Sequence, residues 1–416
     1  MPMTTPSYST LFRTFGQIGI TSFGGPAAQI ALMQRVLVDE QRWLSQDQFL
    51  RALSFCMLLP GPEAMQLATY AGWRLRGVAG GVLAGALFVL PGALVIAALA
   101  LAYGAFGAHP ETQALMLGVK ACVIVIVAQA LIRLSQKALG SLTAIALALG
   151  SFFAIFALNA PFPLVIALSA AVGYWMSKND IAEDVPEVTG KTKPSVLVVW
   201  ALAWLAPLPL LWLCDQTLLF ELSAFFAKLA VVTFGGAYAV LAYMAQEVVQ
   251  NRAWLETGQM VDALGLAETT PGPLILVTQF VGMLTGYVQG GLVFALVAGV
   301  LTLWMTFVPC FLWIFAGAPY VETLLGRPRL SAALRAISSA VVGVILNLSL
   351  WFALHVAFAD IGTWSAGPVT LPAPVLSSFD WQILPLLAFA SVMLVMLRLG
   401  VLTTLLVCAA LSWFLV

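Results

Sequence analysis

This sequence predicts an all-α polytopic membrane protein of about thirteen helices, arranged as two inverted-topology repeats (6+1+6) with broken helices at the centre. Three features lead there: composition, long apolar stretches and an internal duplication. Of 416 residues, 62% are hydrophobic and only 9% charged, and the mean hydropathy is +1.00. A soluble domain carries about 25% charged residues, so this chain lacks the polar groups to cover a water-facing surface.

The apolar stretches come first. Gly80–Tyr103, Leu115–Leu134, Val196–Leu213, Gly290–Phe315 and Ile383–Leu397 lie near the ~20 residues that span roughly 30 Å of hydrocarbon. None alternates with a dyad period, so helices are expected and not the strands of a barrel. The first ten residues hold no basic segment followed by an apolar core, so no cleavable signal peptide is expected. Zero net charge and the lack of a basic patch with interleaved aromatics exclude a nucleic-acid partner. Cys56, Cys122, Cys214, Cys310 and Cys408 never fall at metal spacing, and the two histidines, His109 and His355, sit at the ends of apolar stretches. Small structural cysteines, interfacial histidines and no metal or cofactor are the expectation.

The duplication orders everything else. Shifted by 211 residues, Phe15–Pro62 lies over Phe226–Pro273 without a gap, with 16 identities in 48 positions. Phe23-Gly24-Gly25 falls on Phe234-Gly235-Gly236, and Pro60-Gly61-Pro62 on Pro271-Gly272-Pro273. Further on, Val119-Lys120-Ala121 matches Leu334-Arg335-Ala336. The chain divides into a first repeat (1–176), a polar linker with one connecting helix (177–217) and a second repeat (218–416).

Charge asymmetry sets the orientation. With the N-terminus cytoplasmic, the inner segments hold Arg13, Arg74, Arg76, Arg133, Lys137, Lys178, Lys191, Lys193, Arg252, Arg327, Arg329 and Arg398, 12 of the 18 Lys and Arg. The outside keeps Arg35, Arg42 and Arg51 in one loop, while Lys120, Lys228 and Arg335 lie within spans. Seven spans separate equivalent positions, and seven is odd, so the halves face opposite ways. If the first two segments of each half re-enter rather than cross, the connecting span still inverts them. Inverted repeats around a central site are the architecture of alternating-access transporters.

The first two segments of each half are poor membrane helices. Phe15–Gln34 contains Thr21, Ser22, Gly24, Gly25, Pro26 and Gln29, and Ala52–Gly72 is cut by Pro60-Gly61-Pro62-Glu63. Such helices break at membrane depth, which is tolerated only where the freed backbone faces protein or a polar cavity. Each break exposes a half-helix N-terminus with free N–H groups and about +0.5 of a charge, an anion site in waiting. The competing reading is a kink made for packing. Candidate substrate-binding residues are Thr21, Ser22, Gly24, Gly25, Pro26, Gln29, Pro60, Gly61, Pro62 and Gln66, with Thr233, Gly235, Gly236, Thr269, Thr270, Pro271 and Gly272 in the second half. Gln29, Gln66, Thr21, Ser22, Thr233 and Thr270 would supply neutral donors to an oxyanion.

Lys120 lies five residues into an apolar run, and its repeat partner Arg335 has the same setting. A cation within a span costs at least ~2.5 kcal/mol and marks a functional site unless it snorkels to the interface. Glu63 and Glu268 break the repeat, facing Leu274 and Met57 at the equivalent positions. Desolvation favours the neutral form of a carboxyl, so either is a candidate proton carrier; Glu63 as a helix cap or a partner for Lys120 stays open.

Taken together, Phe23-Gly24-Gly25-Pro26, Leu59-Pro60-Gly61-Pro62-Glu63-Ala64-Met65-Gln66-Leu67-Ala68, Gly72-Trp73-Arg74, Thr233-Phe234-Gly235-Gly236 and Ala267-Glu268-Thr269-Thr270-Pro271-Gly272-Pro273-Leu274 resemble the chromate ion transporter family in its long, two-domain bacterial form. Lys120-Ala121 also fits that pattern. The resemblance implies a multi-pass protein of the bacterial inner membrane that exports chromate, coupled to protons, and confers chromate resistance. Sulfate or another oxyanion, an anion channel of the same fold, a membrane-embedded enzyme and a homodimer remain open at this point.

Overall fold

The computed structural model describes residues 6–177, 194–234, 237–321 and 327–415. The linker from 178 to 193 and the pair Gly235-Gly236 lie outside the described residues.

The first half forms α1 (Tyr8–Thr21), α2 (Gly25–Gln34) running on as a π-helix over Arg35–Glu40, α3 (Gln46–Leu58), α4 (Glu63–Phe106), α5 (Pro110–Ala138), α6 (Leu142–Leu158) and α7 (Phe162–Met176). The connecting segment is α8 (Pro194–Leu205) and α9 (Pro207–Leu213). The second half forms α10 (Thr217–Val232), α11 (Ala237–Ala245) with a π-helix over Gln246–Asn251, α12 (Thr257–Ala267), α13 (Val277–Gly317) and α14 (Pro328–Ala357). It ends with β1 (Ile361–Ala366), β2 (Val369–Pro374), α15 (Ile383–Ser391) and α16 (Val401–Leu415).

Local signals account for the helix starts. Prolines occupy the first turns of α2, α5, α7 and α9, where a missing N–H leaves no bond unmade. Capping boxes open α3 (Ser45 with Gln48) and α12 (Glu256 with Gln259), again 211 residues apart. The same offset relates the two π-helices and the left-handed residues Arg42 (φ 53°) and Ala253 (φ 49°), so the two halves repeat in backbone path as well as in sequence.

All five apolar stretches picked out above are helical. Glu63–Phe106, Pro110–Ala138, Pro194–Leu213, Leu274–Tyr320 and Pro328–Ala357 are long and apolar enough to cross a bilayer. Leu94, Leu142 and Val293 point outward, a disposition suited to lipid. The molecule is a helical membrane protein with one amendment: Ile361–Ala366 and Val369–Pro374 pair as an antiparallel hairpin. Its strands carry Thr363, Trp364, Val369 and Thr370, and Gly367 (φ 60°) opens the two-residue turn. Twelve residues are too few to register against the surrounding apolar runs.

Packing divides the chain into two compact units, each drawing on both halves. One takes Met1–Gly104, Ile181–Ala237 and Thr270–Pro328; the other takes Ala105–Asp180, Tyr238–Thr269 and Arg329–Val416.

In the first unit, α1 and α2 do not continue one another. Phe15 and Trp43 place their rings 6.2 Å apart, and the Trp43 N–H is bonded to Leu37 O. Were the two helices collinear, Phe15 and Leu37 would lie about 27 Å or more apart at 1.5 Å per residue. The chain therefore turns back at Ser22–Gly24. A second turn follows at Leu59–Pro62, where Phe55 of α3 and Tyr70 of α4 approach to 6.3 Å. The Arg76 Nε–H then reaches Pro6 O at 2.7 Å, so the start of α1 and the bend of α4 at Arg76-Gly77 share one end. From the connecting segment, Trp200 packs on Phe311 and Phe315 of α13.

In the second unit the halves exchange partners. α5 packs on α16, where a Cβ on Gly118 would strike Cys408 O, and α14 packs on α7, where one on Gly173 would strike Ala332 O. The fourth-segment helix of each half thus grips the last helix of the other, the reciprocal pattern of a two-fold relation. A cavity of about 660 Å³ in this unit is lined by Asn159, Gln246, Asn251, Asn347, His355 and the hairpin residue Thr363, among others.

Candidate functional site

In the first unit the sequence breaks its helices where Gly and Pro predict. Gly24 (φ 88°) and Gly25 (φ 76°) occupy the left-handed region that L side chains avoid, and Pro26 stands in the first turn of α2. No side chain caps that N-terminus, so the positive end of its dipole is unspent. Gly61 (φ 114°) and Gly272 (φ 85°) do the same at the second break of each half.

These breaks bind one another reciprocally. The Gly61 N–H donates to Thr233 O at 2.9 Å, and the Gly272 N–H donates to Ser22 O at 2.8 Å. Each bond joins a second break of one half to the first break of the other. Gln29, 1% exposed, reinforces one of them: its Nε2 donates to Gly272 O (2.6 Å) and Ser22 O (3.4 Å). Gln66, fully buried, donates from Nε2 to Pro60 O at 2.6 Å. The long helices pass close by, since a Cβ on Gly92 of α4 would strike Pro271 O and one on Gly61 would lie 3.0 Å from Cys310 Sγ of α13.

The expected donors are used differently from the sequence expectation. Thr21 donates to Gln17 O, Ser22 to Ile18 O, Thr233 to Leu229 O and Thr269 to Leu266 O. Each hydroxyl spends its single proton on its own helix, terminating a chain of backbone carbonyls just where that helix stops. Thr270 and Pro271 are buried beside Gly272 and Pro273. The Gln29 and Gln66 Oε1 atoms are buried without a hydrogen-bond partner, so these side chains offer acceptors as well as the donors already in use. Glu63 opens α4, its carboxylate at the positive end of that helix.

In the second unit, Lys120 is not alone. Its Nζ lies 2.9 Å from Asp262 Oδ1, with side chains 15% and 2% exposed. Asp262 was missed from sequence because a single acid in Met260–Ala267 reads as part of an apolar helix; the signal was its repeat position, where the first half has Arg51. Glu268, at the C-terminus of α12, accepts a hydrogen bond from Tyr238 Oη at 3.1 Å. Arg335 departs from expectation: it stands exposed on α14, so Lys120 and Arg335 share a repeat position but not a setting.

Comparison with known proteins matches this sequence to one family. The family model described as Chromate transporter fits the chain twice, over residues 9–174 and 220–413. A chromate transport protein of Cupriavidus metallidurans is 31% identical over 377 residues, 88% of each chain. One from Pseudomonas aeruginosa is 32% identical over 365 residues, 82% of this chain and 79% of its own. An uncharacterized transporter of Methanocaldococcus jannaschii is 28% identical over 356 residues, 84% of this chain and 86% of its own. No solved structure matches the chain.

Proposed function

Because the chain belongs to the chromate transporter family, we propose that it exports chromate across the bacterial plasma membrane by proton-coupled alternating access. The observation that carries this reading is the reciprocal pair of bonds between helix breaks, Gly61 to Thr233 and Gly272 to Ser22. Broken helices from two related halves, meeting at membrane depth, are how secondary transporters build a central site. Chromate is a tetrahedral dianion. In the first unit the uncapped half-helix N-terminus at Gly24-Gly25-Pro26 is suited to an anion, and in the second unit the Lys120 ammonium carries a charge of the right sign. Moving two negative charges out of a negative-inside cell gains about 4.6 kcal/mol per 100 mV. A proton carried inward, with Glu63 and Glu268 as candidate carriers, adds a chemical gradient.

The turned-back helices sharpen the topology. With α1–α2 and α3 plus the first limb of α4 as re-entrant hairpins, Arg35, Arg42 and Arg51 join Arg74 and Arg76 on the cytoplasmic side. The cytoplasmic count rises from 12 to 14, because Arg35, Arg42 and Arg51 enter it and Arg252 leaves; Arg252 alone remains outside. The cavity in the second unit fits this arrangement, since Gln246–Asn251 shares it with Asn159 and the hairpin, segments that thirteen full crossings would put on opposite faces. Five crossings then separate equivalent positions, still an odd number, and the repeats remain inverted.

The test is oxyanion uptake into inverted membrane vesicles, comparing chromate with sulfate, with and without an imposed proton gradient. Gradient-stimulated chromate uptake, weakly competed by sulfate, is the expected result. Equal handling of both ions overturns the substrate, indifference to the gradient overturns the coupling, and unsaturable flux identifies a channel.

A further inference from the structure

We propose that Asp262 is a built-in counter-anion that holds Lys120 in the substrate-free carrier and is displaced from it by the transported oxyanion. This rests on the anion-transport reading above. The Asp262 carboxylate, 2% exposed, meets the Lys120 Nζ at 2.9 Å. An ammonium compensated in this way has little field left for a second anion, so binding at Lys120 is an exchange of one anion for another.

Two observations separate this from a structural ion pair. The first is energetic: in a chain only 9% charged, a desolvated pair inside the bilayer is costly, and apolar side chains of similar volume hold helices together at least as well. The second is the repeat. Arg51, at the position equivalent to Asp262, is exposed and paired with Asp47 at 3.0 Å, and Arg335, equivalent to Lys120, is exposed. A structural brace would serve both halves equally, yet the positions equivalent to this pair hold two arginines, which cannot form it. The pair is confined to the half-site whose Lys120 is within reach of a buried carboxylate.

The arrangement gives a carrier what its cycle requires. Empty, Lys120 is neutralised by Asp262, and the site can reorient without an exposed charge. Loaded, Lys120 turns to the oxyanion. Asp262 therefore acts through Lys120 as a positioning residue, setting affinity and the return of the empty carrier.

Asp262→Asn keeps the shape and removes the competing charge. If Lys120 is free for about one-tenth of the time in the wild type, the variant binds chromate about tenfold more tightly, since apparent affinity scales with the competent fraction. The expected pattern is a lower KM, a lower rate of net transport and preserved chromate–chromate exchange in proteoliposomes, with Asp262→Glu returning all three toward wild type. Unchanged chromate affinity in a folded Asp262→Asn protein overturns the proposal, as does equal loss of exchange and net transport. If Asp262→Asn does not fold, the double variant Lys120→Met/Asp262→Leu decides. A folded double variant that still binds chromate as wild type overturns the role, and one that has lost binding supports it. Loss of chromate binding by wild-type protein would instead sink the transport reading itself.

Discussion

The helix breaks of the two halves follow one backbone path, while the charges set upon that path differ. Gly61 and Gly272 both take left-handed φ and each donates its N–H to the first break of the opposite half. Lys120 and Arg335 share a repeat position, yet one is half-buried against Asp262 and the other is exposed. The backbone repeats because the same Gly-Gly and Pro-Gly-Pro residues set the breaks in both halves. The charges need not repeat, since each charge placed within a span adds its own insertion cost.

The largest expected effect breaks the symmetric part. Gly61→Ala sets a Cβ 2.8 Å from Gln66 Nε2 and 3.0 Å from Cys310 Sγ at φ 114°. Backbone strain of about 1–3 kcal/mol and overpacking of a similar size should combine there, abolishing transport and lowering the melting temperature. Gly272→Ala, with Leu276 Cδ1 at 3.2 Å and φ 85°, should behave alike but more mildly; a wild-type profile for both would remove the breaks from the account.

Next comes the asymmetric part. Lys120→Ala removes the ammonium from beside a buried carboxylate, at about 3–5 kcal/mol, whereas Arg335→Ala should cost within about 0.5 kcal/mol and leave transport intact. Thermal unfolding in detergent separates them, and equal effects would mean the halves are used equivalently. Smaller still is Gln29→Leu, which removes the donor to Gly272 O and Ser22 O and should cost about 1–3 kcal/mol. Of the variants at the breaks, Ser22→Ala is the mildest, its hydroxyl returning to Ile18 O; about 1 kcal/mol is expected, with transport retained.

What the sequence makes legible follows from how local each signal is. Gly24-Gly25-Pro26 and Pro60-Gly61-Pro62 specify breaks through their own stereochemistry, and the 211-residue shift exposes the duplication without any structure. The turning-back of α1 and α2 leaves only a faint trace, two more cytoplasmic Lys and Arg, because two half-helices side by side have the same hydropathy as one that crosses. The contact between Phe15 and Trp43, with Trp43 bonded to Leu37, separates the cases directly. Asp262 is hidden for a related reason: its meaning lies in Lys120, 142 positions earlier in the chain. The hydroxyls of Thr21, Ser22 and Thr233 misled in the opposite direction, since donor capacity is visible in sequence whereas the carbonyl that consumes it is not.

The most direct test of the central claim, that the protein binds a chromate dianion with Lys120 compensating its charge, is equilibrium binding of radiolabelled chromate to purified protein. Wild type, Lys120→Ala and Arg335→Ala should be compared after each is shown to be folded. Saturable binding by the wild type and by Arg335→Ala, with none by Lys120→Ala, is the predicted result. Undiminished binding by a folded Lys120→Ala would contradict it.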